Sequence, residues 1–272
     1  MKNLRSNIGS IIDVTSLLFR VWICFWILSA SIVAAQTKVQ MSIGTAFVVN
    51  PQGYLVTAYH VIRDKSQILV GPFETNRWRV ARVVKIDESK DLALLEARID
   101  RPALSIALWS EVPIGLEALV IGYPQPRVQG LSKKVTLGIV NGVRIEGVDA
   151  GYFQLSAEVQ KGNSGGPVLA PNGAVIGVVL SKLNALSLAE KTGDLAQNVN
   201  YALKSSSLLQ FLNEAGIEIE VRPLDMSQAV RPFETYRKAE ASVLAVIARD
   251  LPNKPQGKPA LPDTLNLVPA DQ

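Results

Sequence analysis

From about residue 41 to 182 the chain reads as a series of short apolar segments, many rich in β-branched residues, divided by turn residues. Candidate strands are GTAFVVN (44–50), GYLVTAYHVI (53–62), QILVG (67–71), WRVARVVKI (78–86) and LALLEA (92–97). LEALVIG (116–122), KVTLGIV (134–140), YFQLSAEV (152–159), PVLA (167–170) and AVIGVVL (174–180) follow. Pro51-Gln52-Gly53 and Pro171-Asn172-Gly173 each divide two neighbouring segments, as tight-turn chemistry requires. No amphipathic helix pattern interrupts the series. That argues against alternating strand–helix units and for an all-β sandwich or barrel.

The flanks read differently. Residues 1–35 pair a basic start with the apolar run VWICFWILSASIVAA (21–35), and Val33 and Ala35 suit a signal-peptidase site. The segment is expected to be a signal peptide cut after Ala35 or an uncleaved anchor, with membrane attachment through residues 17–35. Either way the protein is exported, to the periplasm or beyond. Ser207 and Gln210 form a capping-box pattern, Leu208, Leu209, Leu212 and Ala215 an apolar stripe, and Gly216 a stop, so a helix closes a domain of residues 36–216 at about 205–216. Residues 217–250 read as a partly helical extension, with a second helical stretch over 226–249. The proline-rich residues 251–272 read as a disordered tail.

Composition narrows the chemistry. Apolar residues make up 48% of the chain and charged ones 19%, which fits a globular core. Lys2, Arg5 and Arg20 against Asp13 supply two units of the +4 formal charge, so the basic balance belongs largely to the leader and implies no nucleic-acid partner. The single cysteine, Cys24, lies in that leader, and His60 is the only histidine. An intramolecular disulfide, a cysteine nucleophile and the usual zinc ligand sets are thereby excluded, and no cofactor is expected.

The sharpest motif is Gly162-Asn163-Ser164-Gly165-Gly166-Pro167. A serine hydroxyl needs an adjacent base to act as a nucleophile, and the oxyanion it generates needs donors aimed at it. Glycines around the serine let the amides of Gly162 and Ser164 turn toward one pocket. The same residues match the G-x-S-x-G elbow, but that arrangement needs a histidine after the serine, and none follows Ser164. An acid-first order fails too, since no acid lies between Asp13 and His60. The order His, Asp, Ser remains. His60 ends an apolar segment, and Asp91, at the start of LALLEA, is the preferred acid over Asp64, Asp87 and Glu96.

Together these segments resemble the trypsin-like serine peptidases, in particular the bacterial HtrA-like branch. GTAFVVNPQGYLVTAYHVI is similar to that family's histidine segment, DLALLEA to its aspartate strand, and KGNSGGPVLAPNGAVIGVV to its serine segment. NYALKSSSLLQFL is similar to its closing strand and helix. The resemblance covers about residues 41–215. It implies a chymotrypsin-like double β-barrel of two perpendicular six-stranded barrels, with His60 and Asp91 on the first and Ser164 on the second. Protein or peptide substrates follow. Asn163 stands where animal digestive relatives carry an acid, and residues 217–272 are too few for the PDZ domain of full HtrA proteins. The resemblance also puts Glu158, six residues before the serine, at the base of the substrate pocket, with Leu180 and Ser181 alongside. A carboxylate there would favour basic side chains, whereas HtrA-like relatives cut after aliphatic ones. Strand alternation instead groups Glu158 with Gln154 and Ser156, on the face opposite Phe153, Leu155, Ala157 and Val159. A catalytically silent binding or chaperone-like protein on the same scaffold is the alternative to a peptidase.

Overall fold

Pro51-Gln52-Gly53 reverses the chain between strands β1 (Met41–Asn50) and β2 (Tyr54–Ala58), which pair antiparallel with Phe47 opposite Val56. The computed structural model describes residues 41–108, 113–143, 151–180 and 199–251, all inside one compact unit of residues 39–272. The leader expected over residues 1–35, Ser181 and all but the first residue of the expected tail lie outside the described residues. Among the described residues, no helix is long and apolar enough to cross a membrane.

Two sheets carry the fold. In the first, β2 pairs with β6 (Leu92–Glu96) and β6 with β5 (Arg82–Asp87), while β3 (Gln67–Gly71) pairs with β4 (Arg79–Val80). Only Ala81 separates β4 from β5, although they stand at opposite edges of the sheet. The Ala81 amide donates to the Ile68 carbonyl (2.9 Å), so one stretch of chain bridges both edges and the sheet curls on itself. In the second sheet, β8 (Glu117–Gly122), β9 (Lys134–Gly142), β10 (Tyr152–Leu155), β13 (Asn200–Lys204), β12 (Val175–Val179) and β11 (Pro167–Leu169) follow one another. Pairing of β11 with both β8 and β12 closes these six strands into a barrel. Strands β7 (Ile106–Leu108) and β14 (Val221–Pro223) run parallel at its margin. The all-β, chymotrypsin-like pair of barrels is thus present.

Alternation along β8 sorts the core. Ala118 and Val120 pack with Phe153, Leu155, Val168 and Ile176 inside the second barrel. Leu119 and Ile121 face the other way, into a larger cluster that includes Phe47, Leu55, Leu92 and Leu94 of the first sheet. Of the helices, α1 (Tyr59–Ile62) and α2 (Pro126–Gln129) are single turns. Helix α3 (Ser205–Glu214) buries Leu208, Phe211 and Leu212 in the larger cluster. It starts at Ser205, before the capping box read at Ser207, because the Ser205 hydroxyl donates to the Ala107 carbonyl (2.8 Å) and ties the first turn to β7. It ends at Glu214, and the expected stop, Gly216, follows the Ala215 cap with a left-handed φ of 69°. YHVI (59–62), read as the end of a strand, forms α1 instead.

The C-terminal part departs most from expectation. Only Pro232–Ala239 of the helical stretch read over 226–249 forms an α-helix, α4. Val243–Arg249 is a strand, β15, and it lies between β1 and β3 in the middle of the first sheet. Residues 36–216 therefore do not complete the double barrel by themselves. VLAVIA lacks the alternation that announces a strand because both of its faces are buried. Leu244, Val246 and Ala248 join the larger cluster, while Ala245 and Ile247 pack with Leu69, Phe73, Trp78 and Tyr123. A continuous apolar run of that length does not distinguish helix from buried strand.

Burial of Val243, Leu244, Val246 and Ile247 contributes about 1.5–3 kcal/mol each by transfer, besides two ladders of hydrogen bonds. Val246→Asp is accordingly expected to cost more than about 4 kcal/mol, because an unpaired carboxylate replaces a core methyl pair. Truncation after Ser242 should abolish the cooperative transition of the first barrel. Urea unfolding followed by the fluorescence of Trp78, with the other three tryptophans replaced by Phe, checks both; a truncated protein unfolding like the full chain would contradict the role of β15.

Candidate active site

His60 and Asp91 meet because β2 and β6 are neighbours: Ala58 lies opposite Leu92, and the chain beyond each strand end carries one of the two. After Ala58 the backbone turns into α1. The Tyr59 amide donates to the Asp91 carbonyl (2.9 Å) and the His60 amide to Asp91 Oδ1 (2.8 Å). His60 Nδ1 stands 2.5 Å from Asp91 Oδ2. One carboxylate therefore holds both the backbone and the ring of the same histidine. As an ionised carboxylate only accepts, Nδ1 carries the proton of that bond, and in the neutral ring Nε2 is left as an acceptor. Asp91 has a left-handed φ of 53°, a conformation that Asp tolerates better than most residues.

The rival acids are engaged elsewhere. Asp64 is exposed beside Arg63, and Glu96 pairs with Arg82. Asp87 accepts from Ser89 Oγ (2.6 Å), Lys90 N (3.0 Å) and Lys90 Nζ (2.8 Å). Burial pushes the Asp87 carboxyl up, but the hydrogen bonds from Lys90 and Ser89 outweigh it and hold the group at about 2.

Ser164, 3% exposed, lies in a turn that the two barrels share. On the side of the second barrel, Gly165 N donates to the Val179 carbonyl (2.8 Å) and Gly166 N to the Asn163 carbonyl (2.8 Å). On the side of the first, Thr45 N donates to the Ser164 carbonyl (2.9 Å). Gly165 has φ 83°, and a methyl group there would lie 2.4 Å from the Thr45 carbonyl oxygen and 2.5 Å from Ala58 N. Only glycine lets the serine turn approach so closely the strand end that carries His60. Asn163 is buried, and its amide donates to the Gln160 carbonyl (2.9 Å).

The expected pocket residues differ in exposure. Phe153, Leu155 and Ala157 are fully buried, while Glu158 is exposed and its carbonyl accepts from Thr136 Oγ1 (2.9 Å). Leu180 is buried in the larger cluster. Ser181 is not among the described residues. Two residues near the serine turn went unnoticed in the sequence, Thr45 and Thr57, both fully buried. The available signal was a hydroxyl in each of two apolar strand segments, since a buried hydroxyl must find a partner. Among the described residues no group of three or more His, Cys, Asp or Glu side chains is placed to hold a metal ion.

The family model of the trypsin-like peptidase domain matches residues 44–178, the stretch that contains His60, Asp91 and Ser164. This part of the chain belongs to the trypsin-like peptidases. An uncharacterised protein, y4bJ, of Sinorhizobium fredii is 43% identical over 177 residues, covering 65% of this chain and 28% of that one. A probable periplasmic serine endoprotease, DegP-like, of Chlamydia trachomatis is 35% identical over 140 residues, 50% of this chain and 27% of that one. The chain thus spans little more than a quarter of the length of these curated relatives. Among solved structures, the trypsin-like domain is similar to the serine endoprotease from Yersinia pestis, with TM-score 0.52 and 25% identity over 64% of this chain and 57% of that one. It is also similar to the HtrA-type protease AlgW solved with a decapeptide, with TM-score 0.53 and 26% identity over 63% of this chain and 51% of that one.

The depressed Asp87 pKa gives this trypsin-like domain an acid-sensitive turn next to Asp91. The folded value of about 2 lies below the unfolded value of about 3.9, so the stabilisation is complete above pH ~5 and lost as pH falls through about 2. Thermal melting of wild type and Asp87→Asn should differ by a constant amount from about pH 5 to 7 and converge toward pH ~2. A gap that persists unchanged at pH ~2 would contradict the assignment.

Proposed function

We propose that the chain is a serine endopeptidase acting on protein or peptide substrates, with His60, Asp91 and Ser164 as its triad. The observation that carries this reading is the double grip of Asp91 on the His60 amide and ring, on a strand end that abuts the Gly-Asn-Ser-Gly-Gly turn. In the first half-reaction His60 Nε2 takes the Ser164 hydroxyl proton as Oγ attacks the scissile carbonyl. Asp91 fixes the ring and stabilises the imidazolium. The oxyanion lies against the amides of Gly162 and Ser164. The imidazolium then gives its proton to the leaving amine, and the acyl-enzyme forms. In the second half-reaction His60 deprotonates water, water attacks the ester, and the carboxylic acid leaves as the proton returns to Ser164. The basic, apolar leader and the periplasmic DegP-like relative support export to the periplasm.

Ser164→Ala should abolish labelling by a fluorophosphonate probe and peptide turnover while leaving the melting curve unchanged. His60→Ala should lose nearly as much, and the double variant scarcely more, because such residues act as a unit. Full peptidase activity in Ser164→Ala would sink the triad. A folded wild type inert to probe and peptides alike would favour a silent binding protein on the same fold.

The exposed Glu158 side chain supports an aliphatic preference at the residue before the cut. A peptide library is expected to give the same Val, Ala or Ile preference for wild type and Glu158→Ala. A basic preference lost in Glu158→Ala would restore the carboxylate to the pocket.

A further inference from the structure

Gly162 lies between two peptide groups, and each has its carbonyl held from outside the serine turn. The Lys161 carbonyl accepts from the Gln125 amide (2.7 Å), and the Gly162 carbonyl accepts from Thr45 Oγ1 (2.6 Å). In a trans peptide the N–H points opposite the carbonyl, so the first of these bonds directs the Gly162 N–H away from Gln125. Among the described residues that N–H meets no acceptor. Gly162 itself offers little resistance to rotation, since its φ of 104° is one of many open to glycine. The restraint must come from the bonds on either side, and the peptide after Gly162 is held at both its groups, the carbonyl by Thr45 Oγ1 and the Asn163 N–H by the Gln160 carbonyl (2.9 Å).

Thr45 is unusual in how much of this restraint it supplies. Its side chain is fully buried. Its hydroxyl donates to the Gly162 carbonyl and accepts from the Tyr123 amide (3.1 Å). Its own amide donates to the Ser164 carbonyl, and its carbonyl accepts from Thr57 Oγ1 (2.7 Å). Thr57 lies three residues before His60 on β2. One residue of β1 thereby joins the histidine strand, the serine turn and the end of β8. Backbone bonds from β1 do not require any particular side chain, but the bond to Gly162 requires a hydroxyl. As a β-branched residue in a strand, threonine also has a restricted χ1, so little rotamer freedom is lost in aiming it.

We infer that Thr45 is a positioning residue for the oxyanion site: its hydroxyl holds the peptide that follows Gly162, and together with the Gln125 bond to the peptide before it this fixes Gly162 so that its N–H faces the developing oxyanion. The inference rests on the serine-peptidase reading above. Donors aimed in advance at charge that develops only in the transition state act on kcat more than on substrate binding. Loss of a single oxyanion donor costs about 100- to 1,000-fold in kcat, and loss of its alignment should cost a part of that, about 10- to 100-fold.

The test compares Thr45→Val, Thr45→Ala and Thr45→Ser with wild type and Ser164→Ala on a peptide substrate, on a peptide boronic acid as transition-state mimic, and in thermal melting. Thr45→Val, nearly isosteric, should lose about 10- to 100-fold in kcat with KM changed less than about twofold, and boronate affinity should fall in parallel. Thr45→Ala covers the case in which the buried methyl of valine prevents folding. Thr45→Ser should keep kcat within about threefold, since it retains the hydroxyl. A folded Val or Ala variant with wild-type kcat would overturn the inference. So would a Ser variant that melts like wild type yet loses tenfold or more. Should Ser164→Ala retain turnover, the function reading fails instead, and the two failures are told apart.

Discussion

The antiparallel ladder between β1 and β15 is the interaction on which the site depends. It runs from Met41 opposite Arg249 to Phe47 opposite Val243, and it places Ala245 opposite Thr45. The other edge of β15 pairs with β3 from Gly71 to Gln67. Without β15, β1 and β3 would each expose a row of unpaired amides and carbonyls in the middle of the first sheet, an arrangement that sheets do not sustain in water. The apolar residues of β1 and β3 would also lose the faces against which they pack. As β1 carries Thr45, the position of the serine turn relative to His60 is set in part by a strand from the far end of the chain.

The packing behind β15 extends this dependence. Ala245 and Ile247 share a small cluster with Tyr123, whose ring stands edge-on to Phe73 (5.4 Å between centroids). The Tyr123 hydroxyl donates to Glu74 Oε2 (3.2 Å), and burial, followed by the nearby Glu74 charge, pushes the phenol far above its ordinary range, so it stays protonated. Glu74 Oε1 also accepts from Lys133 N (2.8 Å). Lys133 Nζ donates to the Glu240 carbonyl, just past α4, and burial lowers the Lys133 pKa. A polar network thus links the β8–β9 connection, which grips Lys161 through Gln125, to the segment that feeds β15. The residues that hold the Gly162 region and those that hold the C-terminal strand rest on the same few side chains.

How much of this could be read from the sequence follows from which residues have one physical explanation and which have two. The glycine-flanked serine and the single histidine each admit few roles, and chain order removed the competing arrangements, whereas Asp91 had to be chosen among several acids. Half-buried strands such as β10, with Phe153 and Leu155 inward, announce themselves by alternation. VLAVIA does not, because solvent touches neither face and no polar residue marks the period. Its partner strands are almost the whole described chain away, so nothing local tells it from a buried helix. Thr45 was hidden for a different reason. A threonine in an apolar strand is common, and its hydroxyl gains meaning only from the Gly162 carbonyl, 117 residues further along the chain.

Chain order gives this architecture a consequence in folding. The strands of the first sheet other than β15 precede those of the second barrel, yet the first sheet lacks its central strand until residue 249 has been made. Contacts of such long sequence separation form late, since the loop they close must be ordered before they stabilise it. A synthesised first half would hold His60 and Asp91 close in sequence, on strands β2 and β6 that pair directly, but would leave β1 with one edge open. The second barrel has no such debt: every strand of its closed ring lies between Glu117 and Lys204. It can therefore form before β15 docks, and it presents the serine turn to an unfinished first sheet. The bonds from Thr45 to the turn settle only when β15 fixes β1. On this order of events the His60–Asp91 pair and the serine turn each exist early, and what arrives last is their registration against one another.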